Sequence, residues 1–272
     1  MVKKNILLIN DVAGYGKVAT AAMLPVLSYM GHPTYNIPTA LVSNTLDYGK
    51  FKILETTGYI ESVFPVWREL GFRFDAIATG FMVSARQAGI VSKYCIEQAC
   101  NGTLVFVDPI MGDEGKLYNG VTEAAVGIMR EMAGVADLIC PNYTEACYLA
   151  GEEFHAEGVS VCDANRLVNA LRKVCHKSVV VTSIKIDGSP SVAGYNHLDG
   201  SFFVLPYNEI PVHFPGTGDV FSAVLFGHLL DGDPLVPSVQ KAMDAVYRLI
   251  DLNRGNEDKN CGIPVENYLY VI

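Results

Sequence analysis

Thr103–Asp108 reads TLVFVD. Four consecutive apolar residues closed by an aspartate fit a strand covered on both faces, because a half-exposed strand would alternate apolar with polar positions. VVVTS, residues 179–183, repeats the pattern. Working outward, apolar β-rich runs at Asn5–Asn10, Thr34–Pro38, Ala76–Thr79 and Leu138–Cys140 alternate with stretches of helical spacing. Those stretches are Lys17–Met30, Gly58–Gly71, Ser84–Asn101, Val121–Ala133, Asn142–Ala150 and Asp163–His176. The alternation predicts an α/β fold with a mostly parallel central sheet and helices on both faces. Ser191–Asn196 and Ser201–Pro206, either side of HLDG, predict an antiparallel edge hairpin. Two more helices are expected over Thr217–Asp231 and Leu235–Asn253, followed by RGNEDKNCGIPVEN, a polar tail that reads as loose at its start. With no linker, internal repeat or low-complexity segment, a single domain over residues 1–272 is the economical expectation.

Composition narrows the function classes. Half of the 272 residues are apolar and 18% are charged, the balance of a globular chain with a substantial core. A net charge of −9 and the absence of any Lys/Arg cluster argue against a nucleic-acid partner, since neutralising phosphates needs clustered cations. An anionic small molecule is still compatible, because helix N-termini and loop amides bind phosphate without net positive charge. The run Ile6–Ile9 is too short for a secretory signal core, and no stretch approaches the roughly 18 apolar residues of a membrane span. Seven scattered cysteines without a C-x-x-C pair or zinc spacing predict a reduced, cytoplasmic protein.

In open parallel sheets ligands bind beyond the carboxyl ends of the strands. The first such place is NDVAGYGKVATAA, residues 10–22, with Gly14-Tyr15-Gly16-Lys17-Val18-Ala19 between a strand and a helix. A dinucleotide turn requires an acid at the end of the second strand, and none occurs before Asp47. A phosphate-binding lysine loop requires Ser or Thr after the lysine, where Val18 stands. A glycine-rich turn with no ligand remains open. HFPGTGDVFSAVLFGHLL, residues 213–230, is more informative. Gly216-Thr217-Gly218 suits a tight anion-cradling turn whose following helix points free amides at it. Asp219 in the first helical turn either accepts a proton there or simply complements the helix dipole, a contribution of about 0.3–1 kcal/mol.

PGTGDVFSA (215–223) resembles the G-T-G-D signature of the ribokinase-like small-molecule kinases, and specifically their pyridoxal kinase branch. VDPIMGDEGKLY (107–118), CPNYTEA (140–146), VVVTS (179–183) and PTALVSNTLDYGKF (38–51) are similar to further blocks of that branch, in its order and over most of the chain. The resemblance implies a three-layer ribokinase-like fold and ATP-dependent phosphorylation of the 5′-hydroxymethyl group of a vitamin B6 vitamer. It implies Asp219 as general base, with Gly216, Thr217 and Gly218 as the anion hole. It places Asn10 or Asp11, Gly14, Thr39, Ser43, Thr45 and Phe81 against the acceptor, with the glycines letting the first loop pass close over it. Asp108, Tyr118, Asn142, Thr182, Ser183 and Lys185 would face ATP, and Asp108, Asn142 and Glu145 would organise Mg²⁺. Asn142 and Glu145 also form a capping-box pattern, and both roles can hold. A K⁺ requirement and a homodimer are family expectations.

The pattern departs from the branch at three places. Asn10-Asp11 replaces a usual Ser-His, Thr45 a usual His, and Cys140 a usual Thr. The acidic first loop leans toward the related hydroxymethylpyrimidine kinases of thiamine synthesis, although these commonly carry Cys where this chain has Asp219. A ligand-binding relative without turnover is a further alternative, disfavoured by retention of Asp219, Gly216, Gly218 and Glu145 together.

Overall fold

The computed structural model describes residues 3–118 and 121–272, which form two compact units, Met1–Ala78 with Glu209–Ile272 and Thr79–Asn208. The first unit opens with β1 (Ile6–Tyr15), α1 (Thr20–Tyr29), β2 (Thr34–Asn44), β3 (Ile53–Glu55), α2 (Thr57–Glu69) and β4 (Ala76–Thr79). Its strands run in the order β4-β1-β2-β3, with β1 and β2 parallel and β3 antiparallel at the edge. Ile6, Leu7, Leu8 and Ile9 are all fully buried, as a strand covered on both faces requires. Each such side chain contributes about 1.5–3 kcal/mol relative to leaving it in water.

β1 does not stop at Asn10. It continues through the glycine stretch to Tyr15, paired with β2 as far as Asn44, and helix α1 starts only at Thr20. The expectation of a loop over Asp11–Gly16 is therefore corrected. A β-carbon on Gly14 would lie 3.0 Å from the Ser43 carbonyl, so this glycine answers to close pairing with β2. The ladder carries an irregularity between Asn10 and Val12, the kind of bulge that re-aims a side chain.

The second unit contains α3 (Ala85–Ala99), β5 (Leu104–Val107), β6 (Gly112–Asp113), β7 (Lys116–Leu117), α4 (Ala124–Ala133), β8 (Leu138–Ile139), α5 (Tyr143–Ala150), α6 (Val161–Cys175), β9 (Ser178–Ile186), β10 (Ser189–Asn196) and β11 (Ser201–Pro206). Its sheet runs β11-β10-β9-β8-β5, parallel from β5 to β9 and antiparallel through β10 and β11. The expected edge hairpin is present, and β6 pairs with β7 in a separate two-stranded ribbon that the sequence did not suggest. α6 shows how amphipathic spacing works here. Ala164, Leu167, Val168, Leu171 and Cys175 are buried at helical intervals, and Ser160 caps the start by accepting from Asp163 N–H at 3.1 Å.

The chain returns to the first unit with α7 (Thr217–Leu230) and α8 (Leu235–Asn253). α7 is buried from Val220 through Gly227 with no polar stripe, because α1 and α8 both pack on it. At Gly227 a β-carbon would come within 2.4 Å of Met30 Sδ, so glycine permits the close passage past the end of α1. The tail beyond α8 is not loose. At its start Asn256 N–H donates to the Asn253 carbonyl at 2.9 Å, and Asp258, Asn260 and Cys261 hydrogen-bond to Tyr48, Thr45 and Lys17, which corrects the expectation of a loose start. No disulfide forms among the described residues, and no helix is long and apolar enough to cross a membrane.

Gly194 in β10 tests the hairpin packing. It pairs with Phe203, whose ring lies over it, and a β-carbon would fall 2.4 Å from the Val179 carbonyl and 2.5 Å from Phe203 Cζ. Gly194→Ala is expected to destabilise the protein by about 1–3 kcal/mol, read as a lowered midpoint in thermal or urea denaturation.

Candidate active site

Two clusters of the expected site residues form, one in each unit. In the first unit, the bulge in β1 presents Asn10 and Asp11, which are 2% and 9% exposed. Asp11 N–H donates to Asn10 Oδ1 at 3.0 Å. Thr39 is fully buried on β2. Ser43 Oγ donates to Asn44 Oδ1 at 2.7 Å and accepts from Lys52 N–H at 2.8 Å, and Thr45 Oγ1 donates to the Asn260 carbonyl at 2.6 Å. Both hydroxyls are thus engaged by the protein itself.

Gly216 precedes α7 in the left-handed region, φ 86°, and a β-carbon there would stand 2.1 Å from the Lys17 carbonyl. The N-cap is a glycine with no side chain to cap the helix, which leaves its first turn without a side-chain cap at Thr217 and Gly218. Thr217 Oγ1 donates to the Phe214 carbonyl at 3.1 Å, which holds the turn. Asp219 Oδ2 accepts from Ala19 N–H at 2.8 Å. Its Oδ1 is buried and has no hydrogen-bond partner among the described residues, although the residue as a whole is only half-buried. Burial raises the Asp219 carboxyl to about 6, outweighing the Ala19 amide. Asp11 is raised further, to about 7, by burial and then by the charge of Asp219. An acid pair so placed takes up and releases protons near neutrality.

In the second unit, Asn142 caps α5 and completes the capping box. Asn142 Oδ1 accepts from Glu145 N–H at 2.9 Å, and Glu145 Oε2 accepts from Asn142 N–H at 2.9 Å. The other carboxylate oxygen, Oε1, accepts from Met111 N–H at 3.0 Å, and Asn142 Nδ2 donates to the Gly112 carbonyl at 2.7 Å. Despite these donors the Glu145 carboxyl sits well above its ordinary range, because it is buried and Asp108 lies near. Asp108 follows β5 and its N–H donates to the Thr79 carbonyl at 2.9 Å. Thr182 is bridged to Asn142, its N–H reaching the Pro141 carbonyl at 3.0 Å, and exposed Ser183 takes a left-handed φ of 55°. Tyr118 follows β7 with its N–H on the Met111 carbonyl, and Lys185 is exposed. Phe81, grouped in the sequence with the acceptor residues, belongs to this unit and is half-buried.

A family model of phosphomethylpyrimidine kinase matches residues 26–263. The chain belongs to this kinase family. It is a phosphotransferase acting on an alcohol group. A pyridoxine/pyridoxal/pyridoxamine kinase of Bordetella avium is 31% identical over 248 residues, 87% of this chain and 79% of that one. Among solved structures, a Bacteroides thetaiotaomicron protein described as a phosphomethylpyrimidine kinase and crystallised with pyridoxal superposes with a TM-score of 0.91 at 33% identity, covering 99% of this chain and 95% of that one. Leishmania donovani pyridoxal kinase in complex with ADP and pyridoxamine gives 0.85 at 25% identity, with 98% and 96% covered. The α/β, ribokinase-like fold expected from the sequence is thereby established for this kinase.

Several groups at these clusters escaped the sequence reading. The amides of Ala19, Met111 and Gly112 and the carbonyls of Asn260 and Cys261 are backbone atoms, which any residue supplies. Glycine was the one available signal. Gly262, at φ 78°, would place a β-carbon 2.8 Å from the Lys17 carbonyl and 2.9 Å from the Pro215 carbonyl.

The raised acids make stability depend on pH with a definite sign. Asp11 keeps its proton in the folded state up to about 7, whereas the unfolded chain releases it near 3.8. Its contribution is therefore complete below the unfolded value and is lost as pH rises to about 7. Asp11→Asn is expected to match the native protein in thermal midpoint near pH 4 and exceed it by several degrees at pH 8. The pH series of melting curves checks this.

Proposed function

We propose that this kinase transfers the terminal phosphoryl group of ATP to the 5′-hydroxymethyl group of a vitamin B6 vitamer, pyridoxal, pyridoxine or pyridoxamine. The observation that carries the reading is Asp219: one carboxylate oxygen held by the Ala19 amide, the other buried without a partner among the described residues, in the first turn beyond a left-handed glycine. A dipole-complementing aspartate would be solvated. A base awaiting a hydroxyl proton has this geometry. Asp219 Oδ1 accepts that proton as the hydroxymethyl oxygen attacks, and the amides of Thr217 and Gly218 stabilise the charge on the transferring group. The names of the relatives support the acceptor class, and the complexes with ADP support the donor.

Asp108, Asn142 and Glu145 would hold Mg²⁺. Two buried carboxylates, one of which raises the proton affinity of Glu145, suit a hard dication. Among the described residues no three His, Cys, Asp or Glu side chains converge on a metal site. When bound, the ion neutralises phosphate charge. The exposed apolar side chains of edge strand β3, Ile53 at 41% and Leu54 at 62%, with Leu41 at 44% on β2, support a homodimer. The free cysteines support a reducing, cytoplasmic setting.

Hydroxymethylpyrimidine is the second acceptor to consider, because the family description and the Asn10-Asp11 departure both favour it. ADP release with Mg-ATP and each acceptor separately decides between them. Turnover with B6 vitamers is expected, and turnover confined to the pyrimidine would replace the reading. Asp219→Asn is expected to lower kcat at least ~10²-fold while ATP binding persists. In the native kinase kcat/KM should rise with pH through an ionisation near 6, since the base works deprotonated.

A further inference from the structure

We propose that residues 258–266 form a strap that positions the acceptor-side loops, and that Tyr48 is a positioning residue for acceptor binding. The inference rests on the proposed reaction and on its acceptor residues in the first unit, Asn10 or Asp11, Gly14, Thr39, Ser43 and Thr45.

Ile263 packs beside Val246 and Leu249 of α8, and four polar contacts of this segment fall on loops of the site. Lys17 N–H donates to the Cys261 carbonyl at 2.7 Å, and Lys17 Nζ pairs with Glu266. Thr45, buried, donates its hydroxyl to the Asn260 carbonyl, and Tyr48 donates its own to Asp258 Oδ2 at 2.5 Å. That bond to a carboxylate holds the Tyr48 hydroxyl protonated well above its ordinary range. Three further approaches lock the geometry. A β-carbon on Gly16 would fall 2.3 Å from Thr45 Cγ2 and 3.5 Å from the Cys261 carbonyl. One on Gly262 would strike the carbonyls of Lys17 and Pro215, and one on Gly216 the carbonyl of Lys17. The strap thus ties together the Gly16-Lys17 segment after β1, the segment after β2 and the turn before α7. These are the loops that carry Lys17, Thr45 and Gly216.

A tail that merely filled surface would need none of these directed bonds. Holding two acceptor loops against the anion turn reduces the ordering left to be done when a small acceptor enters, and such preorganisation shows as affinity. Disturbing it should move the acceptor KM and leave the ATP side untouched.

Tyr48→Phe removes one hydroxyl and little volume. It is expected to raise the acceptor KM about three- to tenfold, the effect of a single charge-assisted hydrogen bond at a partly exposed site. The ATP KM, kcat and thermal midpoint should stay at native values. An unchanged acceptor KM, or a parallel shift in ATP KM and midpoint, would overturn the proposal. Gly262→Ala pushes the strap off both carbonyls and should give a larger rise with a fall in kcat; if it fails to fold, the Tyr48→Phe result decides. Amide hydrogen exchange needs no turnover. Peptides covering residues 44–50 should exchange faster in Tyr48→Phe, with peptides of the second unit unchanged, and equal exchange would refute the strap. Native turnover with a B6 vitamer is the control that separates failure of the functional reading from failure of the strap, since exchange reports on the latter alone.

Discussion

The carbonyl oxygen of Lys17 is the point on which the first unit turns. It occupies the space that a β-carbon at Gly216 would need at 2.1 Å and one at Gly262 at 2.8 Å. Three chain segments far apart in sequence therefore meet backbone to backbone. Both glycines have left-handed angles, so even a small side chain would add strain to a clash. Because this contact sets where α7 begins, it also sets where Asp219 lies relative to the Ala19 amide. Ala19 is itself held at a positive φ of 50°, a conformation that costs an L-residue free energy and persists only under surrounding constraint.

That arrangement explains how one oxygen of the Asp219 carboxylate comes to be buried beside the turn before α7. Solvation lost by Asp219 is only partly returned by one amide, so its proton affinity rises. The unspent difference lies in Oδ1, which has no partner among the described residues. Asp11 is raised in turn, by its own burial and then by the charge of Asp219. The same logic operates in the second unit, where Glu145 accepts three backbone N–H groups and is still raised by burial and Asp108. In both clusters burial outweighs the hydrogen bonds that the carboxylates receive.

The sequence made the layers legible, and the reason is periodicity. Strands covered on both faces, such as TLVFVD and VVVTS, must be apolar without alternation, and amphipathic helices such as α6 must repeat near 3.6 residues. The anchor residues of the clusters were also visible, because Asp219, Glu145, Asn142 and Asp108 are side chains with fixed chemistry. Three things were not. The extension of β1 to Tyr15 was hidden because Gly14 and Gly16 read as a turn, although one is a ladder residue against Ser43. The β6–β7 ribbon was too short to carry a period. The ordering of the tail depends on carbonyls and amides, so its polar composition suggested looseness when its glycines were the relevant sign.

Thr45 illustrates why side-chain chemistry alone does not assign a contact. Its position resembles an acceptor-binding one, yet its hydroxyl is spent on the Asn260 carbonyl at 2.6 Å and its methyl closes the space beside Gly16. A hydroxyl has one proton to donate. With that proton committed, Thr45 can offer an incoming acceptor only oxygen lone pairs, so any hydrogen bond it makes there must be received rather than given. A histidine at this place, usual in the pyridoxal kinase branch, could donate. If Thr45 faces the acceptor as proposed, the change from histidine alters the hydrogen-bond polarity there and leaves the shape to the backbone. Asp11 shifts the polarity in the same sense when ionised, because a carboxylate only accepts. An acceptor that brings its own N–H or O–H donors is the one that both residues suit.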